Sequence, residues 1–369
     1  MTKIWTDVLK ESIRDAKGLQ EFLHLSEDEA KQMEAIVKKY PVCVNPYYLG
    51  LIEKENPNDP IRKMSIPDIR EFSEGGQTDT SGESENTVIQ GMQHKYKQTA
   101  LIFTTNQCAM YCRHCFRKRL VGASSDEIAQ HLPEMVDYVQ KHTEINNVLI
   151  SGGDAFLNSN EILEMYLQYF TEIDTLDFIR FGTRTPVVLP QRISEDSELL
   201  AILERYCRKK QIIVVTQFNH PRVLTKEAIK ALACLRNIGC MIRNQTVLLK
   251  GVNDDPQILS RLMNQLVACG VMPYYIFQCR PVAGVKNQFQ VPILDGIKIV
   301  DAAKNNMNGQ SKGVRYAMSH PTGKIEIIGC LKENEVIFKY HQAKYEKDQA
   351  RIFIKELKEK QCWMQEFVL

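Results

Sequence analysis

The stretch TTNQCAMYCRHCFRKR, Thr104–Arg119, sets three cysteines, Cys108, Cys112 and Cys115, among basic side chains. Thiolates are the usual ligands of iron–sulfur clusters, and a four-iron cluster normally takes four of them. Three leave one iron open, and an open metal position is where substrate or cofactor chemistry takes place. Zinc is the competing metal. A structural zinc site wants a fourth ligand near the trio; His114 lies inside it, where its ring suits the support of a ligand better than ligation. The spacing i, i+4, i+7 is also one apolar stripe of a helix. The position just past ALIFTT, a strand candidate, argues against that reading.

Beyond the trio, apolar runs alternate with amphipathic stretches. ALIFTT, NNVLISGG, DFIRFGT, IIVVTQF, MIRNQTVLL and PYYIFQ read as six strands, separated by SSDEIAQHLPEMVDYVQKH, SNEILEMYLQYFTEI, DSELLAILERYCRKK, TKEAIKALACLRNIG and DPQILSRLMNQLVACG as helices. Six strands alternating with five helices predict an α/β fold with a parallel sheet, closed as a full or partial barrel or opened as a doubly wound sheet. Ligands gather at the C-terminal strand ends of such folds. The cysteines, SGGDAF, GTRTP, QFNHP, LLKGVND and QCRPVAG each follow a strand, so all should meet at one mouth. Ahead of the array, WTDVLKESI and EDEAKQMEAIVKKY predict a helical preface, the second helix capped by Ser26. EFSEGGQTDTSGESENT carries almost nothing to bury and reads as a mobile or surface-running linker.

The 369 residues are 44% hydrophobic and 25% charged, ordinary for a globular protein, and a formal net charge of +2 offers no basic field for nucleic acid. MTKIWTDVLKESIRDAK lacks the apolar core of a secretory signal, and nowhere do about 18 apolar residues run uninterrupted. A cytoplasmic protein with no membrane contact is expected. Most of the eleven cysteines, such as Cys234 and Cys269, sit singly in apolar runs and read as small buried hydrophobes.

The trio after the first strand resembles the radical S-adenosylmethionine (SAM) enzymes, whose open iron is chelated by SAM. NQCAMYCRHCFRKR, SGGDAFLNS, GTRTPVVLPQRI, FNHP, NQTVLLKGVND, PYYIFQC and HPTGKIEI, in that order over roughly residues 40 to 330, resemble more narrowly the lysine 2,3-aminomutase family. The resemblance implies a partial (β/α)6 radical SAM barrel over residues 96–305, a helical extension and linker over 1–95, and a C-terminal segment over 306–369 that carries a pyridoxal 5'-phosphate (PLP) lysine. That lysine is Lys324, in a glycine-containing turn, where a desolvated neutral amine can form a Schiff base. By the same resemblance, Arg117 would hold the substrate α-carboxylate. Ser151, Gly152, Gly153 and Asp154 would face SAM, with His114 and Gln245 beside it. Lys95 and Tyr96 would meet the PLP phosphate.

Three departures from the family pattern matter. Where lysine-specific members present two aspartates to the distal ammonium, this chain has Arg280 and Ser319. A guanidinium facing an ammonium in a low-dielectric pocket is repulsive by several kcal/mol, so an anionic side chain, glutamate first, is the expected substrate. Thr99 stands in place of a phosphate-binding arginine, with Lys97 near enough in sequence to substitute. Asp255 replaces a zinc-ligand cysteine of the lysine enzymes, and YHQAKYEKDQARIFIKELKEKQCWMQEF reads as an amphipathic helix instead of a cysteine cluster.

The expected activity is therefore an isomerase, a 2,3-aminomutase that uses a [4Fe-4S] cluster, SAM and PLP on a small amino acid, with reduced flavodoxin or a ferredoxin-type protein as electron donor. A homodimer is compatible with the resemblance. A radical SAM enzyme for a neutral amino acid or a protein-borne residue, and a non-catalytic iron–sulfur or zinc-binding interaction protein, are the other readings the residues leave open.

Overall fold

Strand-forming runs rich in Val, Ile and Phe dictate a single sheet of twelve strands in sequence order: β1 (Thr87–Ile89), β2 (Met92–Tyr96), β3 (Thr99–Thr105), β4 (Asn147–Gly152), β5 (Phe178–Gly182), β6 (Gln211–Thr216), β7 (Met241–Leu248), β8 (Met272–Gln278), β9 (Arg315–His320), β10 (Gly323–Cys330), β11 (Glu335–Ala343) and β12 (Ile352–Glu356). The computed structural model describes residues 5–123 and 125–364. From β3 to β9 every pairing is parallel; β1 to β3 and β9 to β12 are antiparallel. The parallel run thus has seven strands, one more than the six expected, because VRYAMSH adds itself beside β8. The sheet runs unbroken across positions 95/96 and 305/306.

Each parallel step needs a crossover, and helices supply it: Leu132–Lys141, Asn160–Thr171, Ser197–Cys207, Lys226–Asn237, Pro256–Ala268 and Ile293–Asn305. The first is shorter than the sequence pattern suggested and starts only at Leu132, next to Pro133. Ser159, Asp196, Thr225 and Asp255 cap four of them by accepting first-turn N–H bonds. Asp255, where the family pattern has a cysteine ligand, therefore has a structural task of its own.

Two expectations are corrected. The tail forms no amphipathic helix among the described residues: β11 and β12 pair antiparallel instead. Val336, Phe338 and Tyr340 of β11 are buried at every second position, and this strand, which starts before the stretch read as a helix, runs on into its first residues. The supposed linker is not free either. Gln77 bridges to Val282, and Glu71 and Glu83 are buried, because each carboxylate finds arginines in the cysteine loop. Cys234 and Cys269 are only partly buried.

The helical preface, with Ser26 in a capping box, leads into a segment that clamps the cysteine loop. Val44 bridges to Met110, the Tyr111 N–H donates to the Cys43 carbonyl at 2.9 Å, and that of Arg113 donates to Met64 at 2.9 Å. Glu71 receives both Arg113, at 2.8 Å through Nε, and Lys118, at 2.8 Å, all three side chains out of water. Burial, then the Arg113 charge, pulls the Lys118 ammonium down to about 8. Removing the carboxylate strands two buried cations, so Glu71→Ala should lower the unfolding free energy by about 3–5 kcal/mol in urea denaturation of the cofactor-free protein; a loss below about 1 kcal/mol would contradict the clamp.

Candidate active site

Parallel strands all end on one side of a sheet, so the loops that follow them share one mouth. There the structure opens a cavity of about 480 Å³. All but one of the residues that the family resemblance assigns to the site line it: Cys108, Cys112, Cys115, His114, Arg117, Ser151, Gly152, Gly153, Asp154 and Gln245 from β4, β7 and the loops after β3 and β4, with Lys95, Tyr96, Arg280, Ser319 and Lys324 from β2, β9, β10 and the loop after β8. Lys97 does not; it lines a neighbouring cavity.

The cysteines stand on an irregular loop, not a helix, which removes the apolar-stripe reading. Cys108 and Cys115 pack against Cys43, Tyr111 and Val121. Burial first, then nearby negative charge, pushes the Cys108 thiol well up and the Cys115 thiol to about 11. Thiols in such surroundings ionise only when a strong positive centre binds them, which is what iron provides. Among the described residues no three His, Cys, Asp or Glu side chains converge as ligands of one ion. Arg184 donates to Cys112 Sγ at 2.7 Å and to the Gln217 carbonyl at 3.1 Å. Burial, then the Arg184 charge, lowers His114 to about 3. Its Nε2 meets Gln217 and Asn219, while Nδ1 is buried and unpartnered.

The SGGD turn is partly structural. A Cβ on Gly152 would lie 2.3 Å from the Thr105 carbonyl and one on Gly153 2.3 Å from that of Gln107, so the pair lets β4 press on the strand that feeds the cysteine loop. Asp154 is buried, and both its oxygens are engaged, by Thr183 Oγ1 at 2.5 Å and by the Arg184 N–H at 2.6 Å. It thereby orients Arg184.

In the same cavity Lys324, on β10, pairs with no acid among the described residues. Its Nζ lies 3.3 Å from Gln342 Oε1 and above the rings of Tyr275 and Tyr96, at 5.3 and 5.5 Å. Burial, then the charges of Arg180 and Arg280, pulls the amine from 10.5 to about 7. A neutral buried amine facing open space fits an aldehyde cofactor. Lys95 is lowered to about 7 by burial and then Arg280, and donates to the carbonyls of Ser81, 3.1 Å, and His320, 2.9 Å.

Two arginines flank the space between. Arg117 pairs with Glu83, its Nε 3.0 Å from Oε1, and also reaches Ser151 Oγ and the Gly152 carbonyl. Arg280 reaches Ser81 Oγ and Ser319 Oγ, the latter at 2.6 Å, and lies over the Phe116 ring. Burial lowers it to about 10, and no carboxylate pairs with it among the described residues. Among the described residues the cavity collects six basic side chains, Lys95, Arg117, Arg180, Arg184, Arg280 and Lys324, against two acids, Glu83 and Asp154.

Sequence reasoning missed Ser81, Glu83, Arg180, Arg184 and Gln342. Ser81 and Glu83 fell in the supposed linker and Gln342 in the supposed helix. Arg180 carried a usable signal, a lone charge inside the apolar strand DFIRFGT, and Arg184 stood in a motif already noted after that strand.

Residues 98–220 match the 4Fe-4S single cluster domain family. A protein of Aquifex aeolicus (strain VF5) that bears the name L-lysine 2,3-aminomutase provisionally is 39% identical over 96% of this chain and 94% of its own. The L-lysine 2,3-aminomutase of Clostridium subterminale is 36% identical, over 83% of this chain and 73% of its own. The glutamate 2,3-aminomutase of Clostridioides difficile (strain 630) is 34% identical, over 85% and 74%. Among solved structures, a radical SAM methyltransferase from Sphaerobacter thermophilus overlaps 61% of this chain and 68% of its own at 15% identity and a TM-score of 0.38, too loosely to carry an argument. Identity at this level over nearly the whole length, with the cysteine trio in place, makes the chain a member of the lysine 2,3-aminomutase family of radical SAM isomerases.

Proposed function

We propose that this enzyme moves the α-amino group of glutamate, or of a closely similar acidic amino acid, to the β-carbon. The observation that carries this reading is Arg280: it faces the cavity, its hydrogen-bond partners are serine hydroxyls, and among the described residues no carboxylate is in ion-pair contact with it, Glu83, whose charge acts on it, being held by Arg117 and Arg119. A site built for lysine would place acids there, whereas a guanidinium with only neutral partners favours a carboxylate, which it can grip bidentately. Cys108, Cys112 and Cys115 would hold the cluster, the SGGD turn with His114 and Gln245 would face SAM, and Lys324 would join PLP. When bound, these groups supply a carbon radical that takes a β-hydrogen and a π-system that carries nitrogen between adjacent carbons.

The chain's own residues position and discriminate. Arg117 anchors the α-carboxylate, exchanging Glu83 for substrate, and Arg280 with Ser319 anchors the distal one. Between two fixed carboxylates the carbon chain has little freedom, so one β-hydrogen is presented to the cluster side. Lys324 offers a neutral amine at working pH. The electron comes from a reduced flavodoxin or ferredoxin-type protein.

Incubation of the anaerobically reconstituted enzyme with glutamate, lysine, alanine and arginine should yield a β-amino isomer of glutamate and none of lysine; conversion of lysine alone would sink the reading of Arg280. Arg280→Gln should lower kcat/KM for glutamate about 10- to 100-fold, as expected for losing a charge-assisted contact. The Lys324 amine can be titrated without any cofactor by reductive methylation and mass spectrometry. Its labelling should reach half-maximum near pH 7, whereas exposed lysines keep rising toward their ordinary range. Since the folded amine loses its proton near 7 and the unfolded one at 10.5, the stability penalty of this residue is greatest below pH 7 and fades as pH rises. Lys324→Met should accordingly stabilise the cofactor-free protein most at low pH.

A further inference from the structure

Strand β5, FIRFG, carries one charged side chain, Arg180. Its guanidinium turns into the cavity, where Nη2 donates to Asn147 Oδ1 at 2.5 Å and reaches Thr99 Oγ1 at 3.5 Å. Both acceptors are neutral. Nε is buried and has no hydrogen-bond partner among the described residues. The charged or titratable neighbours that bear on Arg180 are Tyr274, Tyr275 and Lys324, with no carboxylate among them. A guanidinium withdrawn from water, held by neutral oxygens and left with a free N–H, is unfavourable by itself and becomes favourable once an anion completes its hydrogen bonds.

Position narrows the anion. Thr99 follows the β2–β3 turn, three residues after Tyr96 and four after Lys95, whose ammonium lies in the same cavity. Thr99 is also where the family pattern has an arginine, and Arg180 reaches its hydroxyl from the neighbouring strands. Lys324 is close by, above Tyr275, which packs against Tyr274 at 4.1 Å between ring centroids. Lys97 and Lys344 line an adjoining cavity of about 560 Å³ that shares Tyr274 and Gln342 with the first, with Glu346 as its acid. The surroundings are cationic and lie within reach of an aldehyde held by Lys324.

We propose that Arg180 supplies the guanidinium of a phosphate-monoester subsite, in the space that Thr99 leaves open, and that the phosphate it holds is that of the PLP joined to Lys324. This rests on the cofactor reading above and assigns to β5 a binding residue that position 99 does not provide. The arginine fork suits two phosphate oxygens, and its planarity matches a group approached edge-on past Asn147. Lys97, the substitute suggested by sequence proximity, is not needed for it.

The test separates phosphate from ring. Cofactor-free protein is titrated with PLP and with phosphate-free pyridoxal, the adduct is trapped with borohydride, and its place at Lys324 is read by mass spectrometry. Wild type should bind PLP more tightly than pyridoxal. Arg180→Gln should weaken PLP about 10- to 100-fold relative to pyridoxal, since any change it makes in the Lys324 amine acts on both aldehydes alike. Inorganic phosphate should compete with PLP in wild type and lose that effect in the variant. Thr99→Arg placed on Arg180→Gln should recover the preference. Arg180→Lys, which keeps the charge and loses the fork, should fall between, and it carries the same ratio test if the glutamine variant does not fold. Equal weakening of both aldehydes, or of neither, overturns the subsite while the cofactor reading stands. A wild-type protein that captures neither at Lys324 overturns both.

Discussion

The cysteine loop is held from outside. It has no helix or strand to stiffen it, so the direction of its thiols depends on Glu71, a buried carboxylate in a segment that looks like a linker, which receives Arg113 and Lys118 at once. The Val44–Met110 bridge and the Tyr111–Cys43 and Arg113–Met64 backbone bonds complete the clamp. An ion triad of this kind is favourable only when each member keeps its partners, since any one of them alone would be a bare charge in an apolar setting. The N-terminal extension is thus part of the active site's foundation, and the basic residues beside the cysteines divide into two groups. Arg113 and Lys118 turn outward to the clamp, and Arg117 turns inward to the cavity.

Charge within the cavity follows a consistent logic. Glu83 and Asp154 are both committed, one to Arg117 and Arg119 and the other to Thr183 and the Arg184 backbone. The remaining cations have neutral partners or none. Burial therefore lowers Lys324 and Lys95 to about 7 and Arg280 to about 10. Such a lining is stable enough to fold yet is completed only by anions, and the family's chemistry brings three: a phosphate, an α-carboxylate and, on the present reading, a second carboxylate. The segment from Asp79 to Asn86 closes this side of the mouth, because Ser81 contacts Lys95 and Arg280 while Glu83 contacts Arg117.

Much of this was legible in one dimension. The alternation of apolar runs and amphipathic stretches dictated a parallel sheet, and a parallel sheet brings post-strand motifs together whatever their sequence distance. Cys108 and Lys324, more than two hundred positions apart, line one cavity for that reason. The misses have physical causes as well. Residues 71–87 have no apolar pattern because they are held by ion pairs and bridges, which composition does not reveal. The tail carries charges at both helical and strand spacings, and only the pairing of Ile352–Glu356 with β11 decides for a strand. The seventh parallel strand was passed over because it lies beyond the last predicted helix.

By itself the sequence determined the fold class and the cysteine trio, since local periodicity and residue spacing carry those facts directly, while Lys324, Arg280 and Ser319 were singled out through the resemblance to the family. Tertiary structure alone decided which cations share a space, that Arg280 looks inward, that Glu83 sits on Arg117, and that Arg180 reaches Thr99 from another strand. These depend on side-chain direction and on contacts between strands and loops distant in the chain, which spacing along a sequence does not encode.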